Sequence, residues 1–215
     1  MKLSELLYER TRRLWDEAAE NPFVTAMADG TLDARCFKAY MLQDYYYLKE
    51  YIGILEQMEK QAESPGTADF LKRAVRATRC ELETVHIPNM KQLGITDEEI
   101  QGGEKNSVCA EYLQYLKAAA QEGTVRGLAA LLQCSWSYAY IAEAVTVRYG
   151  DRLGSSAYAG WFRAYTSEEY TAANRDWTDI LDREAEGIDN AEAEKLCRIF
   201  ESCAHFENSF MNALI

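Results

Sequence analysis

The sequence predicts an all-α protein, and three observations carry that expectation. Prolines are scarce, three in 215 residues, whereas the strong helix formers Ala, Leu, Glu and Lys are plentiful. Apolar residues recur at three- and four-residue spacing, the period of a helix with one buried face. The turn punctuation that separates strands is thin. With 48% apolar residues and 215 positions, the chain suits one sizeable domain with an ample core. No repeat, low-complexity segment or long linker divides residues 1–215, so a single helical domain is expected.

Residues 3–20 read as an amphipathic helix through Leu3, Leu6, Leu7, Thr11, Leu14 and Ala18, and Asn21-Pro22 ends it. Phe23 to Asp29 continue briefly until Gly30. Asp33 is an N-cap for a helix to about Lys60. Ser64-Pro65-Gly66 reads as a turn, Thr67 to about Val85 as a helix, and Pro88 as its close. Thr96 to Gln101 form a short acidic helix before Gly102-Gly103. Asn106 or Ser107 opens a helix carrying Tyr112, Tyr115 and Leu116, ended by Gly123. Val125 to Val147 is the longest apolar segment, with Gly127 its only internal breaker. Ser155 or Ser156 opens a helix with Tyr158, Trp161, Phe162 and Tyr165. Thr166-Ser167-Glu168-Glu169 reads as a capping box, and Asp189 or Asn190 starts a last helix to about Leu214.

A net charge of −12 gives no electrostatic basis for binding nucleic acid or an anionic membrane. The first residues lack the apolar core of a signal peptide, and no run approaches a membrane span. The six cysteines contain no CxxC pair, which points to reduced thiols in a cytoplasm.

Three residues break the core pattern. Cys134 lies on the stripe Leu131–Cys134–Tyr138–Ile141–Val145, its thiol facing inward with a phenol one turn away. Asp44 shares a stripe with Tyr40, Tyr47, Leu48 and Tyr51. Glu207 sits among Phe200, Cys203, Phe210 and Leu214. Each has a bland alternative: an inert buried thiol, a carboxylate bonded for structure, a glutamate reaching a bundle-edge cation. A buried carboxylate is costly unless hydrogen-bonded or protonated. Converging in one aromatic pocket, the three would suit nucleophilic catalysis on a flat, nitrogen-rich ring. A thiolate would attack, one carboxylate would hold ring nitrogens, and the other would move a proton. Glu83-Thr84-Val85-His86 matches the ExxH half-motif of di-iron bundles, but His205 supplies no second copy. His86 otherwise reads as a histidine near a helix end, bonding a carbonyl or a carboxylate.

The order and spacing of Leu42-Gln43-Asp44, Tyr46-Tyr47-Leu48, Tyr112, Tyr115-Leu116, Ala129-Ala130-Leu131-Leu132, Cys134, Trp136, Tyr138, Tyr165 and Glu207…Phe210 resemble the TenA family, also called thiaminase II or aminopyrimidine aminohydrolase. The resemblance spans essentially the whole chain. It implies a haem-oxygenase-like helical bundle that binds no haem and needs no cofactor or metal. It implies hydrolysis of an aminomethyl-aminopyrimidine to hydroxymethyl-aminopyrimidine and ammonia in thiamin salvage, with thiamin cleavage as a lesser activity. By the same resemblance Cys134 is the nucleophile, Asp44 binds the ring nitrogens and amino group, and Glu207 binds the ring and transfers a proton. Tyr47, Tyr112, Tyr138 and Tyr165 would line the pocket, and a homotetramer is expected. The chain departs from the family pattern at Gln133, Ser135 and Met211, where Pro, an aromatic and Trp are common, which leaves the exact pyrimidine open. Two alternatives stand beside this reading: a metal-dependent oxidase built on Glu83 and His86, and a non-catalytic pyrimidine-binding or regulatory protein.

Overall fold

In the computed structural model, residues 2–215 are described, and among them every regular element is helical. The α-helices are α1 (Leu3–Ala19), α2 (Pro22–Asp29), α3 (Ala34–Gln61), α4 (Pro65–Glu81), α5 (Ile87–Gln92), α6 (Asp97–Gly102), α7 (Ser107–Gln121), α8 (Thr124–Tyr149), α9 (Ala159–Tyr165), α10 (Glu168–Glu184) and α11 (Asn190–Asn212). A π turn, Leu82–His86, joins α4 to α5, and a 3₁₀ turn, Gly150–Ser155, follows α8.

The bundle is built around α8. Leu128, Ala129, Ala130, Leu131 and Leu132 are all fully buried. At about 100° per residue, five in a row face every direction around the helix, so this first half of α8 is enclosed, whereas its C-terminal half exposes Glu143, Thr146, Val147 and Arg148 and is amphipathic. It packs against α1, α7, α9, α10 and α11, while α3 packs on α4 and α7. Close approach near the start of α8 requires Gly127. A Cβ there would lie 2.7 Å from Met58 Cε and 3.0 Å from the Ala120 backbone. No helix is long and apolar enough to cross a membrane among the described residues.

Local chemistry sets the ends. Asn21, Asp33, Asn106 and Asp189 each cap the helix that follows through a side-chain oxygen. Thr96 and Glu99 form a capping box. Four expectations change. Pro65 is not in a turn but at the first position of α4, where its missing N–H costs nothing. Ser167 caps α10 alone, accepting from Tyr170 N–H, so Thr166 and Glu169 form no capping box. Ser155 ends the 3₁₀ turn, and α9 begins later, at Ala159. Pro88 does not close the third long helix. The chain widens into the π turn, where Ile87 N–H donates to Leu82 O, and Pro88 falls in the first turn of α5, where a proline is tolerated.

Candidate active site

Four helices deliver the site. Asp44 and Tyr47 come from α3, Tyr112 from α7, Cys134 and Tyr138 from α8, and Glu207 and Phe210 from α11; together they line one narrow cavity. The within-helix spacings are three or four residues, the separation that stacks two side chains on one face. Its free interior is no larger than one water molecule, far below the ~300–1,000 Å³ of most ligand pockets. The three exceptions to core patterning, separated by 90 and 73 positions in the sequence, therefore meet.

Glu207 is 3% exposed, and the Tyr112 hydroxyl donates to its Oε1 at 2.8 Å. Burial pushes its pKa up to about 7, opposed by hydrogen bonds from Tyr112, Cys134 and Tyr138 and aided by the Asp44 charge. The Cys134 thiol is pushed well above its ordinary value, first by burial and then by the Glu207 charge, with the Tyr47 hydroxyl acting the other way. The resting thiol is thus protonated, with a carboxylate of near-neutral pKa beside it. The Tyr47 hydroxyl, on the cavity wall, is buried with no oxygen or nitrogen partner and faces only the Cys134 sulfur, a weak acceptor.

Asp44 is raised by burial and lowered by His86. His86, 7% exposed, places Nδ1 3.4 Å from Asp44 Oδ2 and Nε2 2.9 Å from Met41 O. Both partners of the simpler histidine reading, a carbonyl and a carboxylate, are present. Glu83 is exposed and does not share His86's inward face, which removes the ExxH pairing. Among the described residues no three His, Cys, Asp or Glu side chains are grouped to hold a metal ion.

Tyr165 is not on the wall of this cavity. It packs against Tyr138 with ring centroids 5.1 Å apart and against Tyr170 at 5.0 Å, forming the layer behind. Sequence reasoning missed Glu81, whose pKa burial and the Asp44 charge raise to about 7 while His86 opposes them. It also missed Tyr170, which burial pushes well up and which interacts with Cys134 and Ser135. Glu81 follows Leu71, Ala74 and Thr78 on the inward face of α4, and Tyr170 shares a face of α10 with Asn174, Trp177 and Leu181, so the period was the signal that could have found them. Of the departures, Ser135 donates to Asn174 Oδ1 at 2.6 Å and ties α8 to α10. Gln133 is fully buried with neither amide atom bonded, and Met211 is core.

The chain is 31% identical over 215 residues to an aminopyrimidine aminohydrolase of Halalkalibacterium halodurans, covering 98% of this chain and 94% of that one. A solved TenA homologue from P. horikoshii OT3 superposes with a TM-score of 0.85 at 30% identity, covering 100% of this chain and 98% of that chain. A haem-oxygenase-like domain of unknown function from Shewanella denitrificans OS217 shares the fold, with a TM-score of 0.77 at 16% identity over 100% of this chain and 92% of that one. The fold is accordingly a single all-α, haem-oxygenase-like bundle. The family model described as TENA/THI-4/PQQC matches residues 8–215, so this chain belongs to the TENA/THI-4/PQQC family.

Proposed function

We propose that this protein is a thiamin-salvage hydrolase that converts an aminomethyl-aminopyrimidine and water into the hydroxymethyl-aminopyrimidine and ammonia, with thiamin cleavage as a second activity. The observation that carries the reading is the meeting of Cys134, Glu207 and Asp44 around one small cavity in a chain whose relative bears the name aminopyrimidine aminohydrolase.

The chemistry follows from the protonation states. Cys134 rests as a thiol, so a thiolate has to be made during the reaction. Glu207 in its ionised form takes the proton, and the sulfur adds to the pyrimidine ring. Asp44 holds ring nitrogen and exocyclic amine as charge moves onto the ring. Glu207 then returns its proton to the departing amine, which leaves as ammonia. Glu207, ionised again, takes a proton from water as its oxygen adds at the exocyclic carbon, and passes that proton to the sulfur as the C–S bond to the ring breaks. Tyr112 keeps Glu207 oriented, Tyr47 and Tyr138 wall the cavity, and Tyr165 backs Tyr138. No cofactor or metal enters this scheme. Homotetramer assembly and a cytoplasmic location belong to the same proposal, supported by family membership and by the unpaired, CxxC-free cysteines.

The test is ammonia release from 4-amino-5-aminomethyl-2-methylpyrimidine by chelator-treated protein, with the product identified by mass spectrometry. Stoichiometric ammonia and hydroxymethylpyrimidine are expected. Folded protein that releases neither would overturn the proposal.

A further inference from the structure

We propose that His86 is a positioning residue for Asp44: the two side chains share one proton, which fixes Oδ2 against the imidazole and leaves Oδ1 free to meet the substrate ring. The proposal rests on the function given above for its consequence, but not for its geometry.

The sharing follows from donor and acceptor identity. Met41 O only accepts, so the Nε2 that lies 2.9 Å from it carries the hydrogen. A neutral His86 then presents a bare lone pair at Nδ1, 3.4 Å from Asp44 Oδ2. An ionised Asp44 would set a second lone pair against it. The two side chains are only 8% and 13% exposed, so water screens this contact poorly. One added proton turns it into an attraction, whether that proton sits nearer nitrogen or oxygen.

The surroundings favour the same state. The groups whose charge acts on Asp44, or is acted on by it, are Tyr40 on its own helix, Glu81 on α4, Cys109 on α7, Cys134 and Tyr138 on α8, Tyr165 on α9 and Glu207 on α11. All are acids, and His86, which also acts on Asp44, is the base beside them that can carry positive charge. Three carboxyls in one low-dielectric region cannot all ionise cheaply, and His86 supplies the compensation. The backbone brings it there. In an α-helix, residues five apart point about 140° from each other. The wider π turn at Leu82–His86 lets both Glu81 and His86 turn toward Asp44, consistent with the frequent use of such turns at functional sites.

The full chain contains two histidines, His86 and the exposed His205, so ¹⁵N-edited NMR of the imidazoles resolves both. In the wild-type protein at pH 8 the expected His86 spectrum has a protonated Nε2 and an Nδ1 that is protonated or hydrogen-bonded. A bare, pyridine-like Nδ1 overturns the proposal, and this readout needs no variant. In Asp44→Asn the His86 Nδ1 resonance is expected to move, with that of His205 unchanged; an unmoved His86 resonance overturns the proposal. In His86→Asn the expected kinetic change is a KM for the aminopyrimidine raised about tenfold with a smaller loss in kcat; an unchanged KM overturns the positioning role. Wild-type protein without turnover would defeat the proposed function instead, and the NMR comparison would still decide the His86–Asp44 pair.

Discussion

Replacing Glu207 with Gln separates the stability of this fold from its chemistry. In the folded protein Glu207 has its pKa raised from 4.5 to about 7. The folded state therefore binds a proton more readily than the unfolded chain. Between pH 4.5 and 7 stability falls as pH rises, and above pH 7 the full cost of the buried carboxylate is present. At ~1.4 kcal/mol per pH unit, that cost is about 3 kcal/mol. The residue is 3% exposed, so solvent screening reduces it little. Gln keeps the shape and an oxygen for the Tyr112 hydroxyl but cannot ionise. Urea unfolding should therefore show Glu207→Gln close to wild type at pH 5 and more stable by about 3 kcal/mol at pH 8, with an unchanged m-value. The same variant should lose at least ~10²-fold in kcat, since it can neither take the Cys134 proton nor return one. A stability difference independent of pH would refute the buried-carboxylate argument. Full activity would remove Glu207 from the mechanism.

Three further outcomes follow from the same geometry. Cys134→Ala should abolish ammonia release while leaving the unfolding free energy in urea within about 1 kcal/mol of wild type, because a small side chain at a cavity wall is exchanged for a smaller one; retained turnover would exclude Cys134 as nucleophile. Tyr112→Phe removes the 2.8 Å hydrogen bond that lowers the Glu207 pKa, so the acid limb of kcat/KM, expected near pH 7 in wild type, should move to higher pH; a shift toward lower pH would contradict the assignment. Gly127→Ala, which by helix propensity alone would stabilise by about 1 kcal/mol, should instead destabilise by about 1–3 kcal/mol through overpacking against Met58 and Ala120, as read by thermal or urea unfolding.

Much of the fold is legible in local chemistry. Asp33 and Asp189 mark helix starts because their carboxylates reach backbone N–H groups a few residues on, a contact that depends on neighbouring residues alone. Pro65 and Pro88 are harder. A proline is compatible both with a turn and with a first helical turn, and only packing of the following segment decides between them. The same division runs through the site. Cys134, Asp44 and Glu207 stand out in the sequence because each interrupts an apolar stripe. Glu81, at the end of the α4 stripe, reads as a helix-end charge, and Tyr170 reads as ordinary core beside Trp177; both join the electrostatic environment of the site through the neighbours that folding gives them.

The amino-acid sequence by itself determined the helical class, most helix ends and the three polar exceptions on buried faces, because period, caps and breakers act over a few residues. The tertiary structure decided which exceptions meet, that Tyr165 stands behind Tyr138 rather than on the cavity wall, and that His86 pairs with Asp44 while Glu83 turns to solvent. Those outcomes depend on helix crossings and on one π turn. They also set the protonation of Glu207 and Asp44, since a pKa is fixed by burial and by charges that arrive from other helices.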